Sequence, residues 1–140
     1  NKIPDTTQEG LESELLFLGD NQILSITSHF AKSRTAAGGP NSRRPDLSYG
    51  IDYSKKLKPL GYTPIDFNLS HRYIGDHIDW TGSENSFVKS VDLVDMSISN
   101  NWYGNVISLN FTNLLNERYE KPATYSQDGR AISIGFRRSY

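Results

Sequence analysis

The constraint that most limits this chain is a strict alternation of large apolar and small or polar residues, clearest at its C-terminal end. In the stretch 131–140 the apolar side chains fall at Ile132, Ile134 and Phe136, and between them lie Ser133, Gly135 and Arg137. The stretch 105–112 does the same, with Ile107, Leu109 and Phe111 set against Ser108, Asn110 and Thr112. A period of two sends successive side chains to opposite faces of a β-strand. Five earlier stretches repeat it, at 8–18, 22–34, 46–57, 62–74 and 90–100, and no stretch has the period of a helix. In the first, Leu11, Leu15 and Phe17 oppose Glu12 and Glu14; in the second, Leu24, Ile26 and Phe30 oppose Ser25, Thr27 and His29. Leu93 interrupts the pattern in the stretch 90–100, where Val94, Met96 and Ile98 otherwise share a face.

The connections carry a second signal. Gly19-Asp20-Asn21, Lys58-Pro59-Leu60-Gly61 and Asn101-Trp102-Tyr103-Gly104 read as tight turns, built from residues suited to them. The connections at 35–44, 75–89 and 114–129 are long. Short and long alternate strictly, as in an up-and-down meander with one plain end and one elaborate end. Transmembrane barrels have this order, with short turns on one side and long loops on the other. The strands are also long for a soluble sheet and sufficient for a tilted membrane strand of roughly 9–11 residues.

Composition fits that reading. Only 36% of residues are hydrophobic, which would leave a soluble domain a thin core but suits a barrel wall, where alternate residues meet lipid. The face opposite the apolar one carries Asp52, Asp66, Asn68, Ser70, Arg72, Asp95, Ser108, Asn110 and Thr112, which a sandwich would leave to solvent and a wide barrel would point into a wet lumen. Tyr49, Tyr53, Tyr62, Tyr73, Trp102, Tyr103 and Tyr140 lie at or near strand ends, the level at which amphipathic rings meet lipid headgroups. A net charge of −1 gives no bulk attraction for nucleic acid. With no cysteine there is neither a disulfide framework nor a thiolate metal site. No apolar run is long enough for a transmembrane helix. Asn1 in place of Met, and the lack of a signal peptide, lead to the expectation of a fragment whose partner strands lie upstream.

Motifs for chemistry are sparse. Gly75-Asp76-His77-Ile78-Asp79 has metal-ligand residue types but reads as a solvated loop, since no third ligand stands at a recognisable spacing. There is no Gly-x-Ser-x-Gly and no histidine with an evident orienting partner, so no catalytic residue, metal or cofactor is expected. His29 is expected to face the lumen, and His71 to sit on the apolar face at a strand end.

At Asn113-Leu-Leu-Asn-Glu-Arg-Tyr-Glu120, followed by Gly129-Arg130 and a last strand closing on an aromatic, the chain resembles the C-terminal end of TonB-dependent outer-membrane receptors. The matching residues are Asn113, Leu114, Asn116, Tyr119, Gly129, Arg130 and Tyr140, with Phe136 in the closing strand. Gln8-Glu9-Gly10-Leu11-Glu12 and Arg43-Arg44-Pro45 resemble a strand start and a strand re-entry of the same family. Arg138 departs from the pattern, since an aromatic or apolar residue usually stands there. Within the family the order of motifs is most similar to cobalamin receptors, and siderophore receptors share nearly all of it.

The resemblance implies an all-β chain, the last seven antiparallel up-and-down strands of a 22-stranded transmembrane barrel with a plugged lumen. Residues 1–140 would be one C-terminal portion of the barrel, with the plug domain absent. It implies a bacterial outer-membrane transporter, not an enzyme, that takes up a scarce large ligand (cobalamin or a ferric siderophore) by energy-coupled movement of the plug. The implied partners are the upstream strands and plug, the TonB complex, the lipid bilayer and lipopolysaccharide, and the barrel-assembly machinery reading the closing strand with Phe136 and Tyr140. Arg43 and Arg44 in one outside loop, and Tyr125, Gln127 and Asp128 in the last, are the candidate ligand contacts. The residues alone leave open another outer-membrane barrel, such as a porin or a barrel enzyme, and a soluble β-sandwich binding module.

Overall fold

A computed structural model describes residues 6–58, 63–81 and 84–138. Among these the chain is all-β, with no helix. The strands are β1 (Thr7–Gly19), β2 (Gln22–Arg34), β3 (Leu47–Leu57), β4 (Ile65–Ile74), β5 (His77–Thr81), β6 (Glu84–Val88), β7 (Val91–Trp102), β8 (Asn105–Thr112) and β9 (Ala131–Arg138). Seven of them form one antiparallel sheet in the order β1-β2-β3-β4-β7-β8-β9, so each wall strand pairs with the wall strand next to it in the chain. The wall strands β1, β2, β3, β4, β7, β8 and β9 correspond to the seven periodic stretches, in order.

The register is what makes the sheet two-faced. Across β1 and β2, Leu11 pairs with Phe30, Leu15 with Ile26 and Phe17 with Leu24. The row continues through Ile26↔Ile51 and Leu24↔Tyr53, Tyr53↔Leu69 and Ile51↔His71, and Leu69↔Met96 and Phe67↔Ile98. It ends through Met96↔Phe111 and Ile98↔Leu109, then Leu109↔Ile134 and Phe111↔Ile132. Because opposed residues share a face, one apolar surface runs across all seven strands. The complementary rows are polar: Glu12↔His29, Ser25↔Asp52, Asp52↔Ser70, Asn68↔Ser97, Ser97↔Asn110 and Asn110↔Ser133. A slip of one residue anywhere would exchange the faces of every strand beyond it.

Among the described residues neither face has a layer packed over its whole breadth. Leu11 is 68% exposed, Ile134 78% and Phe136 69%. The buried residues instead gather near the loop end of the sheet and include Ala31, Ser33, Val88, Val91 and Leu93. Leu93 pairs with Arg72 and so lies on the polar face. Its break in the alternation marks where the wall passes beneath the loops. Among the described residues the sheet is open: β1 and β9 pair only with β2 and β8 and do not touch one another.

The structure amends the expected outline in three places. The segment 75–89, read as a polar loop, contains the β5–β6 hairpin, paired from His77↔Val88 to Thr81↔Glu84. Its strands have five residues each, too short beside the wall strands to stand out as periodic stretches. β7 runs on to Trp102, and the turn after it narrows to Tyr103-Gly104, with φ of 49° and 78°. Positive φ at both central residues is the turn whose twist suits a two-residue hairpin. β4 begins at Ile65, after Pro64, which has no N–H to give to the ladder. The expected turn at 59–61, Tyr62 and the terminal Tyr140 lie outside the described residues.

Candidate functional site: the loop end of the sheet

Antiparallel order sends the three long connections, 35–46, 75–90 and 113–130, to one end of the sheet, and they are fastened to one another there. The centre of the fastening is Asp79 on β5. It is wholly buried, and a carboxylate tolerates that only when charge-paired and hydrogen-bonded. Its Oδ1 accepts the Nε–H of Arg43 at 2.6 Å and the hydroxyl of Ser42 at 3.4 Å; its Oδ2 accepts the backbone N–H of Ala123 at 2.9 Å. Beside this, the Arg43 N–H donates to the Ile78 carbonyl at 2.7 Å, with Arg43 at φ 60°. One side chain thus joins three segments far apart in the chain. Asp79, expected in a solvated loop, is instead the most deeply buried charge among the described residues. The correction has a physical reason: β5 turns Asp79 into the junction, where Arg43 and the Ala123 amide supply what water would have supplied.

The motif residues form a second fastening at the base of the last loop. Asn113 and Asn116 have φ of 51° and 56°, a region that asparagine enters far more readily than branched residues. The Asn113 Nδ2 donates to the carbonyls of Glu117 (2.9 Å) and Asp128 (3.2 Å), and its Oδ1 accepts the Glu117 N–H at 2.9 Å. The Asn116 Oδ1 accepts the Arg130 N–H at 3.0 Å. A Cβ on Gly129 would lie 2.8 Å from that oxygen, so the position favours glycine. Leu114 donates its N–H to the Val94 carbonyl at 2.7 Å. Asn113, Leu114, Asn116, Gly129 and Arg130 are therefore brought together, with backbone atoms as their main partners. The latch is also tied to the wall: the Asn113 N–H donates to Asp95, which in turn takes the Arg72 guanidinium at 2.9 Å. Phe136 stands apart from it, exposed on the apolar face of β9. Arg138 pairs with Asn105 at the turn end of that same face.

The candidate ligand contacts do not converge on one spot. Arg43 turns to Asp79, whereas Arg44 turns away to Gln8 on β1, at 3.4 Å. Gln127 works as an internal strut: its Nε2 donates to the Lys121 carbonyl at 2.8 Å and its N–H to the Tyr119 carbonyl at 2.9 Å. Tyr125 is exposed, as is Asp128, whose carbonyl serves the Asn113 latch. Tyr119 and Arg43 both line a cavity of about 270 Å³ between the loops, with Lys89 and Lys121. A wider groove of about 660 Å³ runs along the polar face past Glu12, His29, Asp52 and Arg72. There His29 meets Glu12 at 3.0 Å. His71 lies on the apolar face, bonded to Asp92 at 2.8 Å and edge-on to Tyr49, which stacks on Tyr73. Among the described residues no three His, Cys, Asp or Glu side chains group as a metal site would require.

Lys89 and Lys121 were not among the sequence candidates, and Asp79 entered only as a metal-ligand type in the stretch 75–79, read as solvated. The alternation His77-Ile78-Asp79-Trp80-Thr81 was the available sign of a strand that could hide Asp79. Its pairing with Arg43 has no sequence signal.

No family model matches the chain, and no curated protein matches it.

Proposed function

We propose that this chain is part of the wall of a bacterial outer-membrane β-barrel, the last seven of 22 strands of a TonB-dependent transporter. The observation that carries the reading is the register: seven paired strands align one continuous, exposed apolar face against one polar face. In water such a face is a large liability; against acyl chains it is the expected outer surface of a barrel. The open edges at β1 and β9 fit the same picture, since unpaired strand edges are satisfied when a barrel closes. The Asn113 latch supports the family, because Asn113, Leu114, Asn116, Gly129 and Arg130, five of the residues that carry the resemblance, gather at the base of the last loop.

In this reading the polar face lines a lumen that holds a plug, and the fastened loops form the outer mouth. The ligand is scarce and large, cobalamin or a ferric siderophore. The protein recognises it by hydrogen bonding and shape rather than by catalysis, and release inward depends on the TonB complex. Lipid and lipopolysaccharide surround the wall, and the barrel-assembly machinery reads the closing strand.

The test is uptake by cells with and without the full-length gene. Deletion should abolish accumulation of labelled cobalamin or of a ferric siderophore, and a protonophore should do the same to wild-type cells. The purified protein should also migrate faster on a detergent gel before boiling than after. Heat-modifiable migration with uptake insensitive to the protonophore would favour a passive porin. Migration unaffected by boiling would remove the barrel itself.

A further inference from the structure

The cavity between the loops has walls of two kinds. Its floor includes Val88 and Val91, each 7% exposed, and its rim includes Arg43, Lys89 and Lys121. Against these three cations stand the Asp79 carboxylate, bound to Arg43, and Glu120 in the wall, whose Oε2 accepts the Thr124 N–H at 2.7 Å. The balance is positive. Neither Lys89 nor Lys121 forms an ion pair with any described residue. Arg43 is held in place by Asp79 through Nε, so its guanidinium is oriented before any ligand arrives, which lowers the entropic cost of binding. An apolar floor beneath a cationic rim strengthens attraction for an anion, because low-dielectric walls focus the field.

We propose that this cavity takes an oxyanion group, a carboxylate or phosphate, carried on the transported ligand. At about 270 Å³ the cavity falls just below the roughly 300–1,000 Å³ of pockets that enclose a whole drug-sized molecule. It therefore receives one anionic end of a larger ligand, whose remainder lies over the exposed Tyr125 side of the last loop or toward the lumen. The proposal rests on the transporter reading, which it deepens by naming the chemical class that the mouth selects.

The full-length protein in detergent tests it, with citrate as the carboxylate probe and inorganic phosphate as the second. Titration calorimetry should show saturable binding of at least one of them. The double variant Lys89→Gln/Lys121→Gln should weaken it about ten-fold or more, since it removes two of the three cationic donors at the rim. The same preparation should keep its heat-modifiable migration. Citrate without phosphate identifies a carboxylate ligand, and binding of both a general oxyanion site; either result supports the proposal. No saturable binding of either probe, or binding unchanged in the double variant, overturns it. Loss of heat-modifiable migration in the wild type would count against the barrel, while the isotherm still judges the cavity.

Discussion

The strand wall and the loop end are held together in opposite ways. The wall relies on repetition: backbone ladders and an alternation in which each apolar position resembles the next. Its large side chains remain exposed, Ile134 at 78% and Leu11 at 68%. The loop end relies on a few polar groups that cannot be exchanged. Asp79 is fully buried and Asn113 nearly so, and each is satisfied by partners within the chain. The wall is thus specified by a repeated pattern, and the loop end by its own contacts.

Substitutions can break that contrast, and the largest effects belong to the wall and the junction. Leu109→Arg sets a charge in the middle of the apolar face and should destabilise the membrane-inserted protein by about 2–4 kcal/mol. Asn110→Arg, one residue along on the polar face, should change stability by less than about 1 kcal/mol. Denaturant titration in lipid vesicles compares the two, and equal effects would end the distinction between the faces.

Next comes the junction. Asp79→Ala removes the acceptor of the Arg43 Nε–H and strands the buried Ala123 amide. Arg43 is 63% exposed and can regain water, so a full buried-pair penalty is not expected. The cost should be about 2.5–4 kcal/mol, from one orphaned donor, one charge-assisted bond partly replaced by water and the longer Ser42 contact. It should be confined to the loops: amide exchange should speed up around residues 43, 79 and 123 while β2 and β3 stay protected. Gly75→Ala should cost about 1–3 kcal/mol by overpacking, because a Cβ there would lie 2.6 Å from the Leu47 carbonyl, a backbone atom with little room to yield. The smallest effect is at Tyr125, which is 66% exposed. Tyr125→Ala should leave stability within about 0.5 kcal/mol, so any loss of ligand binding there reports recognition rather than folding.

The same contrast explains what could be read in the sequence. β2 and β8 begin and end where the alternation does, at Gln22–Arg34 and Asn105–Thr112. A period-two pattern is local, and the register follows once each strand has one apolar face. The β5–β6 hairpin escaped because its strands are short. The Asp79 junction escaped because its partners lie 36 and 44 residues away, and nothing local to Arg43 or Ala123 marks the pairing. Asn113 and Asn116 stood out as a motif, but their work, entering positive φ while satisfying backbone groups of their own loop, required coordinates. Leu93 looked like an error in the alternation and is the point where the wall meets the buried part of the loop end.

The central claim is that one face of the wall meets lipid and the other meets water. The chain has no cysteine of its own, so single cysteines placed at each position from Ile107 to Thr112, in a full-length protein cleared of every cysteine outside this chain, can carry spin labels without background. In vesicles, accessibility to oxygen, which partitions into lipid, should peak at Ile107, Leu109 and Phe111. Accessibility to a water-soluble nickel chelate should peak at Ser108, Asn110 and Thr112, out of phase by one residue. Both faces reached equally by the chelate, or no period of two in either reagent, would contradict the account.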